Sequence, residues 1–116
     1  MIVVEIREEN ISVRRWSIED IAEAVYTLVQ LIPIGCVTTY KEIAKVLGIS
    51  PRLVAKILSK NKKLIAIPCH RVVKSNGELG GYTLNGKNVP KFKESLLKLE
   101  GYTTCKYKLS RLLNIE

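Results

Sequence analysis

The chain has 116 residues, 47% of them apolar, enough to bury one hydrophobic core and too few for two ordinary domains. No segment approaches the roughly 18 uninterrupted apolar residues of a membrane-spanning helix, and no basic-then-apolar leader opens the chain. A soluble, cytoplasmic protein with no membrane partner is therefore expected, nucleoid-associated if the source is prokaryotic. The net charge of +8 points to a polyanionic partner, and the placement of that charge matters more than its size.

In chain order, Ile2 to Ile6 and Ile11 to Val13 read as a short strand pair within residues 1–16. Ser17 then caps a helix, with Asp20 three residues on and Ile21, Ala24, Val25, Leu28, Val29 and Ile32 at helical spacing. Pro33 and Gly35 are expected to end it. Thr39 and Glu42 fit a second capping box, opening a short helix with Ile43, Ala44 and Leu47 inward. Gly48 breaks that helix, and Ser50-Pro51 restarts one with the cap and first-turn proline in order. Two short helices joined by a glycine turn form a helix-turn-helix signature.

The second of these helices divides sharply at about 100° per residue. Leu53, Val54, Ile57 and Leu58 fall on one side, and Arg52, Lys56, Ser59 and Lys60 on the other. An acid-free polar face, continued by Lys62 and Lys63, suits phosphate contacts better than an ordinary solvated helix face. Leu64 to Ile67 reads as an apolar strand leading into Pro68. Val72-Val73 leads out, and Ser75-Asn76-Gly77 is a turn. A last helix begins near Pro90, with Phe92, Leu96 and Leu99 on its inner face and Gly101 as terminator. The tail alternates only partly, at Tyr107 and Leu109. The elements make a mainly α fold with short strands.

Cys69 and His70 carry the candidate chemistry. A cysteine nucleophile acts as thiolate, so it needs a base or a positive environment, and His70 is the one histidine of the chain. Adjacent residues of a regular strand face opposite ways. Cooperation therefore requires an irregular backbone, which Pro68 favours, or a bridging water. A bare Cys-His pair would more often be a buried cysteine beside a surface histidine. Cys36, Cys69 and Cys105 match no zinc spacing, and no metal is expected. Cys36 and Cys105 read as buried small hydrophobes. A Cys36–Cys105 disulfide is the less favoured alternative in a reducing cytoplasm.

The wider pattern resembles the O6-alkylguanine-DNA alkyltransferase family, from about Ser17 to Gly101. The motifs are Ile32-Pro33-x-Gly35-x-Val37-x-Thr39-Tyr40, Ser50-Pro51-Arg52, Asn61, Pro68-Cys69-His70-Arg71-Val72-Val73, Gly80-Gly81-Tyr82 and Leu97-x-x-Glu100-Gly101. The resemblance implies a winged-helix-like DNA-binding domain over residues 17–116, with residues 1–16 a remnant of the usual N-terminal domain. It implies single-turnover, irreversible transfer of an alkyl group from O6 of guanine to Cys69, with no cofactor. The nucleotide is flipped from double-stranded DNA, bound through its minor groove by a monomer.

By the same resemblance, His70 is the base acting through a water, Glu100 holds His70, and Asn61 supports the active-site segment. Tyr40 donates to the guanine and helps rotate the nucleotide outward, Arg52 fills the vacated space, and Lys56 and Arg71 join the DNA-binding set. Tyr82 and Thr83 line the base pocket, where Gly80 and Gly81 permit close approach. Two departures stand out. Leu84 occupies a stretch where small Ser and Gly residues are common, and is expected to narrow the pocket. Lys62-Lys63-Leu64 stands where prolines are common, so a looser loop is expected.

Three other readings compete. An alkyltransferase-like lesion-binding protein performs no chemistry, but that branch replaces the cysteine, typically with tryptophan. A helix-turn-helix transcription regulator leaves Cys69, His70 and Glu100 without a role. A Cys-His hydrolase calls for a peptide or ester cleft rather than a basic helix.

Overall fold

The computed structural model of the chain describes residues 2–7, 10–63, 65–84, 86–102 and 105–112. The first two elements, β1 (Ile2–Arg7) and β2 (Asn10–Arg15), pair antiparallel with Ile2 opposite Arg15 and Arg7 opposite Asn10. Helix α1 (Ile18–Val29) starts where its capping box lies: the Ser17 hydroxyl accepts from the Asp20 N–H, and Asp20 accepts from the Ser17 N–H. It ends at Gln30, ahead of the Pro33 and Gly35 stop signals, so those two residues shape the following turns.

Strand β3 (Cys36–Thr39) runs directly into α2 (Tyr40–Leu47), with Thr39 capping the Glu42 N–H at 3.0 Å. The Glu42 carboxylate accepts from both the N–H and the hydroxyl of Ser110, tying α2 to the short C-terminal helix α5 (Leu109–Leu112). Gly48 closes α2 in the left-handed region, at φ +68°, where a side chain is disfavoured. Ser50 then caps α3 (Pro51–Ser59), accepting from the Leu53 N–H. The helix-turn-helix is therefore assembled from local caps. The buried faces of α1, α2 and α3 meet in one core that includes Val25, Val29, Ile43, Val54 and Ile57, and the Tyr26 hydroxyl donates to Ile57 O at 2.8 Å across α1 and α3.

Beyond α3 come a 3-10 turn at Cys69–Arg71, then β4 (Val72–Val73), β5 (Thr83–Leu84), β6 (Lys87–Asn88), α4 (Pro90–Leu99) and β7 (Cys105–Lys106). Strand β3 lies between β4 and β7, parallel to both. Hairpin β5–β6 is separate and antiparallel. The fold is mainly helical with short strands, and no described helix is long and apolar enough to cross a membrane.

Three expectations need correction. The apolar run before Pro68 is not a strand where it is described: Ile65 and Ala66 form a turn, with Ile65 at φ +75°. Its Leu64 lies outside the described residues. The cause is Asn61, whose side chain accepts from the Lys63 N–H and donates to Ile67 O, while Ile67 N donates to Lys63 O. The described part of that loop is thus tied at three points. Second, the inner face of α4 is Lys93 and Leu97, and Leu99 is 84% exposed. Third, Cys36 and Cys105 are not buried hydrophobes. The β3–β7 register sets them opposite one another with Cα atoms 4.6 Å apart, and they form a disulfide.

Candidate active site

The 3-10 turn at Cys69–Arg71 supplies the irregular backbone that a Cys-His pair needs, and it buries both side chains. It is fixed from before and after. Asn61 donates to Ile67 O at 3.0 Å and, through the same amide, to Cys69 Sγ at 3.4 Å. Arg71 N donates back to Pro68 O.

His70 is fully buried, and its Nε2 lies 3.0 Å from Glu100 Oε2, away from the line of a well-aligned hydrogen bond. Its Nδ1 is buried with no hydrogen-bond partner among the described residues. Burial lowers the His70 pKa, partly offset by the adjacent Glu100 carboxylate, so the ring is neutral and able to accept a proton. Glu100 is itself held well inside the ionised range, first by Arg71 and then by His70.

Arg71, expected at the DNA, is turned inward instead. Its Nε and Nη2 form a fork on Glu100 at 3.0 and 2.6 Å, and Nη1 donates to Ile32 O at 2.8 Å. A guanidinium spent on a carboxylate and a carbonyl fixes Glu100 beside His70.

A cavity of about 260 Å³ opens beside the sulfur. Cys69, Tyr40, Gly81, Tyr82 and Thr83 line it together with Asn88, while α3 contributes Ala55, Leu58 and Ser59. Leu84, expected to narrow the cavity, does not line it. Alternation along β5 gives that place to Thr83. The glycines answer to protein neighbours as well as to any base: a Cβ on Gly80 would stand 3.1 Å from the Tyr40 hydroxyl, and one on Gly81 3.1 Å from Asn88 Oδ1.

One residue that sequence reasoning missed is Lys93. It is fully buried, with Nζ donating to Val72 O at 2.6 Å and to Leu79 O, its third proton shared between Gly81 O and the Tyr40 hydroxyl, each at 3.3 Å. Burial brings its pKa down to about 8, and Cys69, when ionised, pulls the other way. The signal was present: Lys93, Leu96, Leu97 and Glu100 recur at i, i+3, i+4 and i+7, so a lysine sits on the inward stripe of α4. Burial pushes the Cys69 thiol up, against the Asn61 hydrogen bond and the Lys93 charge, and pushes Tyr40 up to about 12, leaving its hydroxyl a donor.

On the outer side of α3, Arg52, Lys56, Ser59 and Lys60 are exposed, as the helical spacing requires. The chain matches the model of the 6-O-methylguanine DNA methyltransferase DNA-binding domain over residues 20–102. The chain belongs to this family. The methylated-DNA–protein-cysteine methyltransferase of Saccharolobus solfataricus is 51% identical over 78 residues, covering 67% of this chain and 48% of that protein. That of Metallosphaera sedula is 51% identical over 77 residues, covering 66% and 46%. The chain thus spans about half the length of these curated alkyltransferase relatives. Among solved structures, Mycobacterium tuberculosis OGT in complex with DNA matches at TM-score 0.63 and 34% identity, over 71% of this chain and 50% of that one. Schizosaccharomyces pombe Atl1 in complex with damaged DNA containing O6-carboxymethylguanine matches at TM-score 0.64 and 28% identity, over 77% and 85%. The likeness to both agrees with a methyltransferase-family helix-turn-helix body.

Proposed function

We propose that the chain repairs DNA by accepting an alkyl group from O6 of guanine onto Cys69, once and irreversibly. The observation that carries this reading is a buried cysteine opening onto a cavity of about 260 Å³, beside a buried histidine whose Nε2 lies 3.0 Å from the Glu100 carboxylate.

The thiol is raised by burial, so it reacts only when its proton is taken. His70 receives that proton by way of a water, and Glu100, clamped by Arg71, orients and stabilises the imidazolium. The thiolate attacks the alkyl carbon. The S–C bond forms as the C–O6 bond breaks, and the electron pair stays on the departing guanine. Tyr40, its hydroxyl held by the Lys93 ammonium, donates to that guanine and offsets the developing negative charge. The thioether has no route back to thiol, so each chain acts once.

Access requires the nucleotide to leave the duplex, at a cost of about a few kcal/mol. The acid-free face of α3 enters the minor groove, with Arg52 taking the vacated space and Lys56 on phosphate. A single copy carries every group named, so the chain acts as a monomer on double-stranded DNA.

The likeness to Atl1 supports a second reading, lesion binding without transfer. Cys69, in its buried site with Asn61 and Lys93, favours the first. The test is stoichiometry: methyl label carried on O6-methylguanine in a duplex should move to protein up to one equivalent, and not at all to Cys69→Ala. Binding of the lesion without label transfer would favour the second reading.

A further inference from the structure

We infer that Asn88 is a specificity-determining residue of the cavity, its side-chain amide donating to N7 of the purine. The inference rests on the reading above, that the cavity receives an O6-alkylated guanine. Asn88 stands opposite Thr83 in the β5–β6 register, and both line the cavity with Cys69.

Its amide orientation is fixed by chemistry. Oδ1 accepts the Tyr82 N–H at 3.0 Å, which only an oxygen can do, so the other terminus is the NH2 group. No hydrogen bond from that NH2 is made among the described residues. Gly81 leaves the room this side chain occupies, since a Cβ there would come within 3.1 Å of Oδ1. The Tyr82 peptide is fully spent on the hairpin, its N–H on Asn88 and its C=O on the Val89 N–H at 2.6 Å. The Asn88 amide therefore replaces, on this wall, the backbone donor it consumes.

A purine that offers its O6 substituent to Cys69 turns its O6/N7 edge toward the wall next to the sulfur. N7 is an acceptor immediately beside O6 on that edge. A donor placed there recognises a purine with a ring nitrogen at position 7 and holds the O6 carbon toward the sulfur.

The experiment compares single-turnover transfer from duplexes carrying O6-methylguanine or its 7-deaza counterpart, using wild type and Asn88→Asp. The aspartate keeps the acceptor for the Tyr82 N–H and loses the donor. Wild type should be slower on the 7-deaza base by roughly tenfold, the worth of one well-placed hydrogen bond. Asn88→Asp should be slow on both bases and indifferent to the change. An unchanged melting temperature would show that the variant keeps the fold. A variant as fast as wild type, or one that keeps the full 7-deaza penalty, would overturn the role of Asn88. Failure of wild type to transfer from either duplex would instead overturn the repair reading, and the role of Asn88 with it.

Discussion

Lys93 Nζ lies 3.3 Å from the Tyr40 hydroxyl, so a buried ammonium backs the one tyrosine donor among the residues that reach the cavity beside Cys69 from α2. Such a pair acts as a unit. Tyr40→Phe and Lys93→Met should each slow methyl transfer by about a hundredfold, as loss of a transition-state donor does. The double variant should be little slower than either single one, because both remove the same donation. Additive losses in single-turnover kinetics would place Lys93 outside the chemistry.

Lys93 should also mark the pH dependence of stability. Its pKa falls from 10.5 unfolded to about 8 folded, so between pH 8 and 9 the unfolded chain binds more protons. Stability then rises with pH in this window, by about 1 kcal/mol from this group. Over the same window the unfolded Cys69 thiol begins to ionise while burial keeps the folded one protonated, which offsets part of the rise in wild type and variant alike. Urea unfolding at pH 8 and pH 9 should show the rise in wild type and its loss in Lys93→Met. An equal rise in both would contradict the assignment.

Arg71 and Lys56 separate structure from DNA contact. Arg71→Ala leaves the mostly buried Glu100 without its main partner and should cost about 2–3 kcal/mol in thermal or urea unfolding. The salt dependence of DNA affinity should stay as in wild type. Lys56→Ala, on the exposed face of α3, should do the reverse, with ordinary stability and a salt slope smaller by about one. A reduced slope for Arg71→Ala would return that residue to the DNA surface.

Arg52 is tested by the state of its substrate. Arg52→Ala should slow transfer from duplex at least about tenfold, since the flipped state loses its support. Transfer from free O6-methylguanine should hold. Equal losses on both would remove the flipping role.

The Cys36–Cys105 disulfide joins residues 69 apart in sequence and closes a loop containing the entire site. Loop-closure entropy gives it about 4 kcal/mol. Reduction, or Cys105→Ser, should lower the melting temperature by on the order of 10 °C. A melting temperature that ignores reductant would contradict the pairing.

The parts legible in the sequence are those set by short range. Ser17, Thr39, Gly48 and Ser50 each fix a helix end through partners within four residues, and the helix-turn-helix follows from them. Cys69, His70, Asn61 and Glu100 were legible through a family pattern, and the structure brings all four together. Long-range partners were not. Arg71 reads as a free cation until Glu100 and Ile32 are folded against it. Leu99 and Leu97 differ by two positions, and only packing decides which faces in. The Cys36–Cys105 pair depends on a two-residue parallel strand, which no local pattern announces. Asn88 lines the cavity because hairpin β5–β6 folds it back over Gly81.

The central claim is that Cys69 is the acceptor. Incubating the chain with excess O6-methylguanine duplex, then mapping its peptides by tandem mass spectrometry, tests it most directly. The account predicts one methyl per chain, on Cys69, with Cys36 and Cys105 unmodified. A methyl on any other residue, or an unmodified chain that still binds the lesion, would contradict it.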